Sequence, residues 1–186
     1  MTDRTAADAT GAPADPVDAA LAALVAALEP EVADAYDRRL ARHLLRTAVG
    51  LVRQQPATLD LKIAGTALRE MADAFAMFDA TRGVPKVSIF GSARTAVDDP
   101  LYGAARDVAP GLAGRGWMVV TGGGPGIMQA GMEGAGREKS IGVSIRLPFE
   151  QSANPVIAGD EKYVSMKYFF TRKLMLIKEK IGRAHV

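Results

Sequence analysis

The chain has 186 residues, of which 48% are hydrophobic and 24% charged, enough for one sizeable domain with an appendage but not for two large domains. It has no cysteine, which excludes disulfides, a thiolate nucleophile and a cysteine-ligated metal. No apolar run approaches the ~20 residues of a membrane-spanning helix, so we expect a cytoplasmic protein without a membrane partner.

Charge is distributed unevenly along the chain. Residues 1–100 carry 11 basic and 14 acidic side chains, whereas residues 101–186 carry 12 basic and 7 acidic ones. A positive second half suits a small phosphorylated ligand, but it lacks the clustered basic face typical of a nucleic-acid binder. We therefore expect no nucleic-acid partner.

The first part of the chain predicts a tail followed by helices. Residues 1–17 are rich in Ala, Asp, Thr and Pro without apolar periodicity, which predicts a disordered tail. Apolar residues then recur at helical spacing, which predicts a helical N-terminal extension over 18–83 with Asp18 as the first N-cap and Pro30 dividing two helices.

A third helix is predicted at the end of this extension, from about residue 59 to residue 78. Its apolar stripe consists of Leu61, Ala64, Leu68, Met71, Phe75 and Phe78.

The pattern changes to alternating strands and helices at Lys86. Short β-branched runs predict strands over 86–90, 117–122 and 141–147, with helices over 99–115 and 125–137 between them. This order predicts parallel strands and a Rossmann-like, doubly wound α/β domain over 84–180. Pro110 falls within the first crossover helix and predicts a kink there or two short helices.

The turn after the second strand reads TGGGPGIMQAG. Gly122, Gly123 and Gly124 allow close backbone approach to a ligand, and Pro125 suits the first turn of a helix whose free N–H groups would face an anion. The alternative is a glycine-rich turn used only for close helix–strand packing. The spacing matches neither the dinucleotide fingerprint nor the P-loop.

The turn after the first strand, FGSART, also places a glycine at a strand end. Gly91 is followed by Ser92, whose hydroxyl and N–H could reach a phosphate or ribose, and Arg94 adds a positive charge. Alone, this segment is equally consistent with an ordinary strand-to-loop turn.

After a loop through Pro155 and Gly159, a last helix is predicted from about residue 166 to residue 179. Cationic residues on a helix usually form a solvated face, but Arg172 is flanked by aromatic residues and its planar guanidinium could hold a phosphate bidentately. The residues predicted to pack inward are Tyr168, Phe169, Leu174, Met175 and Ile177.

In order, FGSART, GGGPGIMQAGMEGA, IGVSIRLPFE and YFFTRKLMLIKE resemble the LONELY GUY (LOG) family, also known as lysine decarboxylase-like Rossmann-fold proteins. The resemblance covers about residues 59–179 and is closest to the longer bacterial branch, which has a helical N-terminal extension. It implies hydrolysis of the N-glycosidic bond of AMP or cytokinin riboside 5′-monophosphates to free base and ribose 5-phosphate, by a homodimer or higher homo-oligomer. No cofactor, metal or lysine decarboxylation is implied.

The resemblance also assigns site residues. Arg172 would be catalytic, and Lys173 and Glu150 would contact the substrate. The residues that would line the nucleotide pocket are Gly91, Ser92, Gly122, Gly123, Gly124 and Gly126.

One element of the family pattern is not found in this sequence. In the family, the last helix is followed by a strand and the loop PGGxGTxxE, whose Glu is catalytic. Residues 181–186 instead read IGRAHV, which the sequencing-adapter string ATCGGAAGAGCACACGTC encodes, so we expect a non-native tail, a truncated chain and an inactive fragment. Two alternatives to a glycosidase stay open: a non-catalytic nucleotide-phosphate binding module, and an interaction protein that assembles through its N-terminal helices.

Overall fold

The computed structural model describes residues 15–147 and 153–178. These residues form two compact units, one ending at Leu61 and the other beginning at Lys62. Within the described part of the chain, no helix combines the length and the apolar character needed to cross a bilayer.

The first unit contains two helices separated at Pro30, as predicted. Helix α1 is Pro16–Leu28, a 3₁₀ turn spans Glu29–Glu31, and α2 is Ala35–Arg53. The N-cap of α1 is Asp15, whose carboxylate accepts a hydrogen bond of 2.8 Å from the N–H of Val17. The prediction that Asp18 is the cap was wrong; Asp18 pairs with Arg53 instead.

Helix α3, Thr58–Asp79, matches the third predicted helix, but its buried face is different. Ala67, Glu70, Ala74 and Phe78 are buried, whereas Leu68 and Phe75 are each 45% exposed. Of the predicted stripe, therefore, only Phe78 is buried; Ala64 and Met71 are half-buried, and Leu61 is exposed like Leu68 and Phe75. Apart from Phe78, the buried face of the helix consists of two alanines and one carboxylate, which a pattern of large apolar side chains does not reveal.

The second unit contains a four-stranded, all-parallel sheet in the order β1-β2-β3-β4. Its strands are Lys86–Ser88, Met118–Thr121, Ser140–Ile145 and Tyr163–Met166. The helices that follow the strands are α4 (Pro100–Ala113), α5 (Ile127–Ala135) and α6 (Phe169–Lys178). The predicted Rossmann-like α/β fold is confirmed, although β4 was missed and the sequence predicted only loop there.

Helices cover both faces of the sheet. On one face, Phe78 of α3 and Met175 and Leu176 of α6 pack with strand residues such as Val120 and Val143. On the other face, Ala109 of α4 and Ala135 of α5 pack with Val119. The successive residues Val119 and Val120 thus contribute to different layers, as the period of two in a strand requires.

The buried face of α6 also differs from the prediction. Met175 is buried as predicted, together with Thr171 and Leu176. Phe169, Leu174 and Ile177 were predicted to pack inward but are exposed.

Helix α4 is one continuous helix with Pro110 in its last turn, so the alternative of two short helices was wrong. Pro110 lacks the N–H that would bond the carbonyl oxygen of Arg106. Gly134 of α5 lies against this carbonyl, and a Cβ built on Gly134 would be 2.0 Å from the oxygen. The two helices therefore pack with direct backbone contact at this position.

This contact predicts that Gly134→Ala destabilises the protein, because the new methyl group meets backbone that cannot rotate away. We expect a loss of about 1–3 kcal/mol in the free energy of unfolding, as for other overpacked sites, measured by urea denaturation. Gly103→Ala in α4 is the matched control, since a Cβ there meets nothing within 4 Å. It should be neutral or stabilise by up to about 1 kcal/mol through helix propensity, and equal losses in both variants would contradict the proposed contact.

Candidate functional site

A cavity of about 580 Å³ lies where the first three strands end. In a parallel α/β sheet this is the edge at which ligands bind. The lining residues are Ile89, Phe90, Gly91, Ala93, Arg94, Gly122, Gly123, Gly124, Pro125, Met128, Ser144, Ile145, Leu147 and Arg172.

Arg172 reaches the cavity from α6. Its Nε donates a hydrogen bond of 3.0 Å to the carbonyl oxygen of Val143, on the inner strand β3. A Cβ built on Gly122 would lie 2.2 Å from a terminal nitrogen of the guanidinium and 2.6 Å from the sulfur of Met128. Gly122 thus provides the space that the Arg172 side chain occupies.

The glycine turn after β2 is fixed by buried polar side chains. Gly123 has a φ of 70°, and its N–H donates to the hydroxyl of Thr121 at 3.0 Å. Asn154 donates from its N–H to the carbonyl of Gly123 at 2.8 Å and from Nδ2 to the carbonyl of Gly124 at 3.0 Å. Asn154 is only 4% exposed. With its two hydrogen bonds to the carbonyls of the turn, this buried residue acts as a clamp that holds the turn in one conformation.

The turn after β1 interacts mainly with the start of α5. The carbonyl of Ser92 accepts a hydrogen bond of 3.1 Å from the N–H of Ile127, the first residue of α5. The Ser92 hydroxyl accepts a bond of 3.0 Å from the N–H of Arg94. The backbone of Ser92 therefore occupies the first N–H of α5, which is not free for an anion, contrary to our expectation. The helix also begins at Ile127 with Gly126 as its N-cap, not at Pro125 as predicted.

Gly91 and Gly126 allow these two turns to meet. A Cβ on Gly91 would lie 2.4 Å from the Cβ of Ile127. Gly126 has a φ of 65°, and a Cβ there would lie 2.3 Å from the carbonyl oxygen of Ser92. Their role in the structure is close packing of the turns, and Gly91 also lines the cavity.

Four residues assigned by the resemblance are not among the described lining residues. Two of them, Ser92 and Gly126, lie in the turns beside the cavity and were expected to line it. Lys173 is exposed on α6 and is not among the lining residues. Glu150 lies outside the described residues.

A network of charged groups supports the segment that contains Asn154. Arg137 donates to the carbonyl oxygens of Val156 at 2.9 Å and Ala158 at 3.1 Å and pairs with the buried carboxylate of Asp160 at 2.9 Å. Burial alone would raise the pKa of Asp160, but hydrogen bonds and charge from Lys162, with the charge of Arg137, outweigh it and hold the pKa below its ordinary value of 3.8. The ionised carboxylate of Asp160 thus helps to hold the segment that contains Asn154 in place through its ion pair with Arg137.

The electrostatic character of the cavity is positive. Arg94 and Arg172 are its only ionisable lining residues within the described chain, and the remaining lining is apolar or glycine apart from the polar Ser144. Such a site can hold a phosphate through guanidinium groups and an organic ring against Phe90, Met128 and Leu147.

The all-parallel sheet with helices on both faces is a Rossmann-like α/β module, and a family match indicates that it is of the nucleotide-related kind. Residues 84–160 match the model of the SLOG cluster4 family, and the SLOG superfamily includes LOG-like Rossmann proteins. The match confirms the predicted resemblance. No curated protein matches the chain. The matched segment contains both glycine turns and Asn154, while Arg172 lies beyond it.

The hydrogen bonds of the Asn154 side chain predict that Asn154→Ala lowers the stability of the protein. The substitution removes the donor to the carbonyl of Gly124 and the acceptor for the N–H of Val156. We expect about 1–3 kcal/mol lower unfolding free energy, the usual cost of unpaired buried polar groups, and faster amide exchange at Val156. Glu161→Ala, at an exposed position nearby, should change stability by less than about 0.5 kcal/mol. Unchanged exchange at Val156 in Asn154→Ala would refute the clamp.

Proposed function

We propose that the cavity binds a nucleoside 5′-monophosphate, either AMP or a cytokinin riboside 5′-monophosphate. We further propose that the function of the protein is to hydrolyse the N-glycosidic bond of this ligand to free base and ribose 5-phosphate. The observation that carries the proposal is the position of the Arg172 guanidinium beside the glycine turn after β2, in the lining of a cavity at the ligand-binding edge of the sheet.

The dimensions and chemistry of the cavity support this class of ligand. A volume of about 580 Å³ lies within the roughly 300–1,000 Å³ of small-molecule sites. Arg94 and Arg172 supply positive charge for a phosphate, since guanidinium groups bind phosphate oxygens bidentately. Phe90, Met128 and Leu147 supply apolar surface for a purine ring.

Hydrolysis needs a group that this cavity does not provide among its described residues. Cleavage of an N-glycosidic bond passes through an oxocarbenium-like ribosyl centre, which a carboxylate stabilises while a water molecule attacks. No Asp or Glu is among the described lining residues. The catalytic carboxylate would therefore come from outside them, as the Glu of PGGxGTxxE does in the family.

The lack of a carboxylate among the described lining residues favours a second candidate function, a module that binds nucleotide phosphate without turnover. The two candidates differ in chemistry but share the binding step. Binding and hydrolysis therefore need separate measurements.

We predict that the chain binds AMP more tightly than adenosine, because adenosine lacks the phosphate that the arginine residues would hold. Arg172→Ala should weaken AMP binding at least about tenfold, or 1.4 kcal/mol, in isothermal titration calorimetry. Arg115→Ala, which removes an exposed positive charge outside the cavity lining, is the control and should bind AMP as the unmodified chain does. Equal affinity for AMP and adenosine, or no effect of Arg172→Ala, would contradict the phosphate role.

A second variant tests the space beside the guanidinium. Gly122→Ala should weaken AMP binding because its methyl group would overlap the Arg172 side chain. Gly124→Ala is matched to it in the same turn, but there the methyl group meets the flexible end of Met128 at 2.9 Å. Its effect on affinity should be several-fold smaller; the reverse order would argue against the role assigned to Gly122.

Adenine release, followed by chromatography, separates the two candidate functions. We expect the 186-residue chain to bind AMP without releasing adenine, and a version extended by the family's strand and PGGxGTxxE loop to release it. Binding without release from the extended version, with AMP and with cytokinin nucleotides, would favour the binding module.

A further inference from the structure

A carboxylate from α3 holds the junction between β4 and α6. We propose that Glu70 is a positioning residue for Arg172, because it fixes the first turn of α6 and with it the direction in which the Arg172 side chain enters the cavity. The ligand-binding part of this inference rests on the proposed function.

Glu70 accepts hydrogen bonds from the start of α6. Its Oε1 accepts a bond from the N–H of Lys167, and its Oε2 accepts bonds from the N–H of Tyr168 at 3.4 Å and the hydroxyl of Thr171 at 2.7 Å. Helix α6 begins at Phe169, so the N–H groups of Lys167 and Tyr168 immediately precede it, at the helix end where backbone N–H groups lack partners within the helix and a negative charge is favourable. The Thr171 hydroxyl, in the first turn, adds a side-chain donor and also lies 2.9 Å from the carbonyl oxygen of Tyr168. Glu70 therefore caps α6 from a separate helix.

The same carboxylate reaches the end of β3. Arg146 pairs with Glu70 Oε1 at 3.2 Å, and its N–H donates to the carbonyl of Met166 at 2.7 Å. Arg146 lies between Ile145 and Leu147, both of which line the cavity. Glu70 thus connects α3, the end of β3 and the start of α6 at one point.

The connection to Arg172 is a single step along α6. Thr171 bonds Glu70, and the next residue, Arg172, directs its Nε to the carbonyl of Val143. Adjacent residues of an α-helix differ by about 100° in direction because one turn holds 3.6 residues. Fixing Thr171 against Glu70 therefore sets the orientation of Arg172 toward the cavity.

Glu70 carries its negative charge at neutral pH despite being only 4% exposed. Burial alone would raise its pKa, but the hydrogen bonds from Lys167, Thr171, Tyr168 and Arg146 outweigh burial, so the pKa lies below its ordinary value of 4.5. Glu70→Gln keeps the shape of the side chain but removes the charge and replaces one acceptor oxygen with a donor.

A double-mutant cycle distinguishes positioning from a general effect on the fold. AMP affinity is measured by calorimetry for the unmodified chain, Glu70→Gln, Arg172→Ala and the double variant. We expect Glu70→Gln to weaken binding about tenfold in the unmodified background and less than about twofold when Arg172 is already Ala, because the two residues act as a unit. Asp73→Asn, at an exposed position of the same helix, should leave affinity unchanged.

Two results would overturn the proposal. One is an equal loss of affinity on Glu70→Gln in both backgrounds, and the other is no loss in either. If Glu70→Gln fails to fold, Thr171→Val removes only the hydroxyl donor and takes its place in the cycle, with an expected loss of about threefold.

Amide exchange without ligand separates failure of this inference from failure of the proposed function. Glu70→Gln should speed exchange at Lys167 and Tyr168, whereas Asp73→Asn should not. If the unmodified chain binds no AMP, the proposed function fails, while faster exchange still supports the role of Glu70 in fixing α6. Unchanged exchange at both amides would refute that role whatever the chain binds.

Discussion

The site depends on the hydrogen bond between Arg172 and the carbonyl of Val143, because this bond places a guanidinium among the ends of three strands. The bond is possible only where Gly122 leaves room for the side chain. The position of the guanidinium charge therefore depends on Arg172, on Gly122 and on the inner strand β3 together, and a change at any of the three alters it. The remaining lining residues shape the cavity around it.

The backbone of the glycine turns has less capacity for an anion than its sequence suggests. Thr121 takes the N–H of Gly123, and the carbonyl of Ser92 takes the first N–H of α5. Buried polar groups must be paired, and these turns achieve this internally. Positive charge in the cavity therefore comes largely from Arg94 and Arg172. The capacity of the cavity to bind an anion thus depends more on Arg172 than on the number of glycines in the turns.

The sequence predicted the elements with strong local signals and missed those that depend on distant contacts. Three strands and their crossover helices follow from apolar runs that end at a glycine or a proline, whereas β4, Tyr163–Met166, lies in a stretch without such a run. The inward faces of α3 and α6 were partly wrong because large apolar residues such as Phe75 stay exposed while Ala74 packs inward. Glu70 and Asn154 act through partners 97 and 30 residues away along the chain, and no local pattern indicates such a partner.

Helix α6 is attached to the sheet at both ends. Its start is held by Glu70 beside β4, and near its end the carbonyl of Leu176 accepts a hydrogen bond of 2.6 Å from the Ser88 hydroxyl of β1, at the opposite edge of the described sheet. The helix therefore links the strands at the two edges of the described sheet. Because Arg172 lies between these two attachment points, a displacement of β1 relative to β4 would move α6 and the guanidinium with it. A rigid sheet therefore keeps the guanidinium in one position in the cavity.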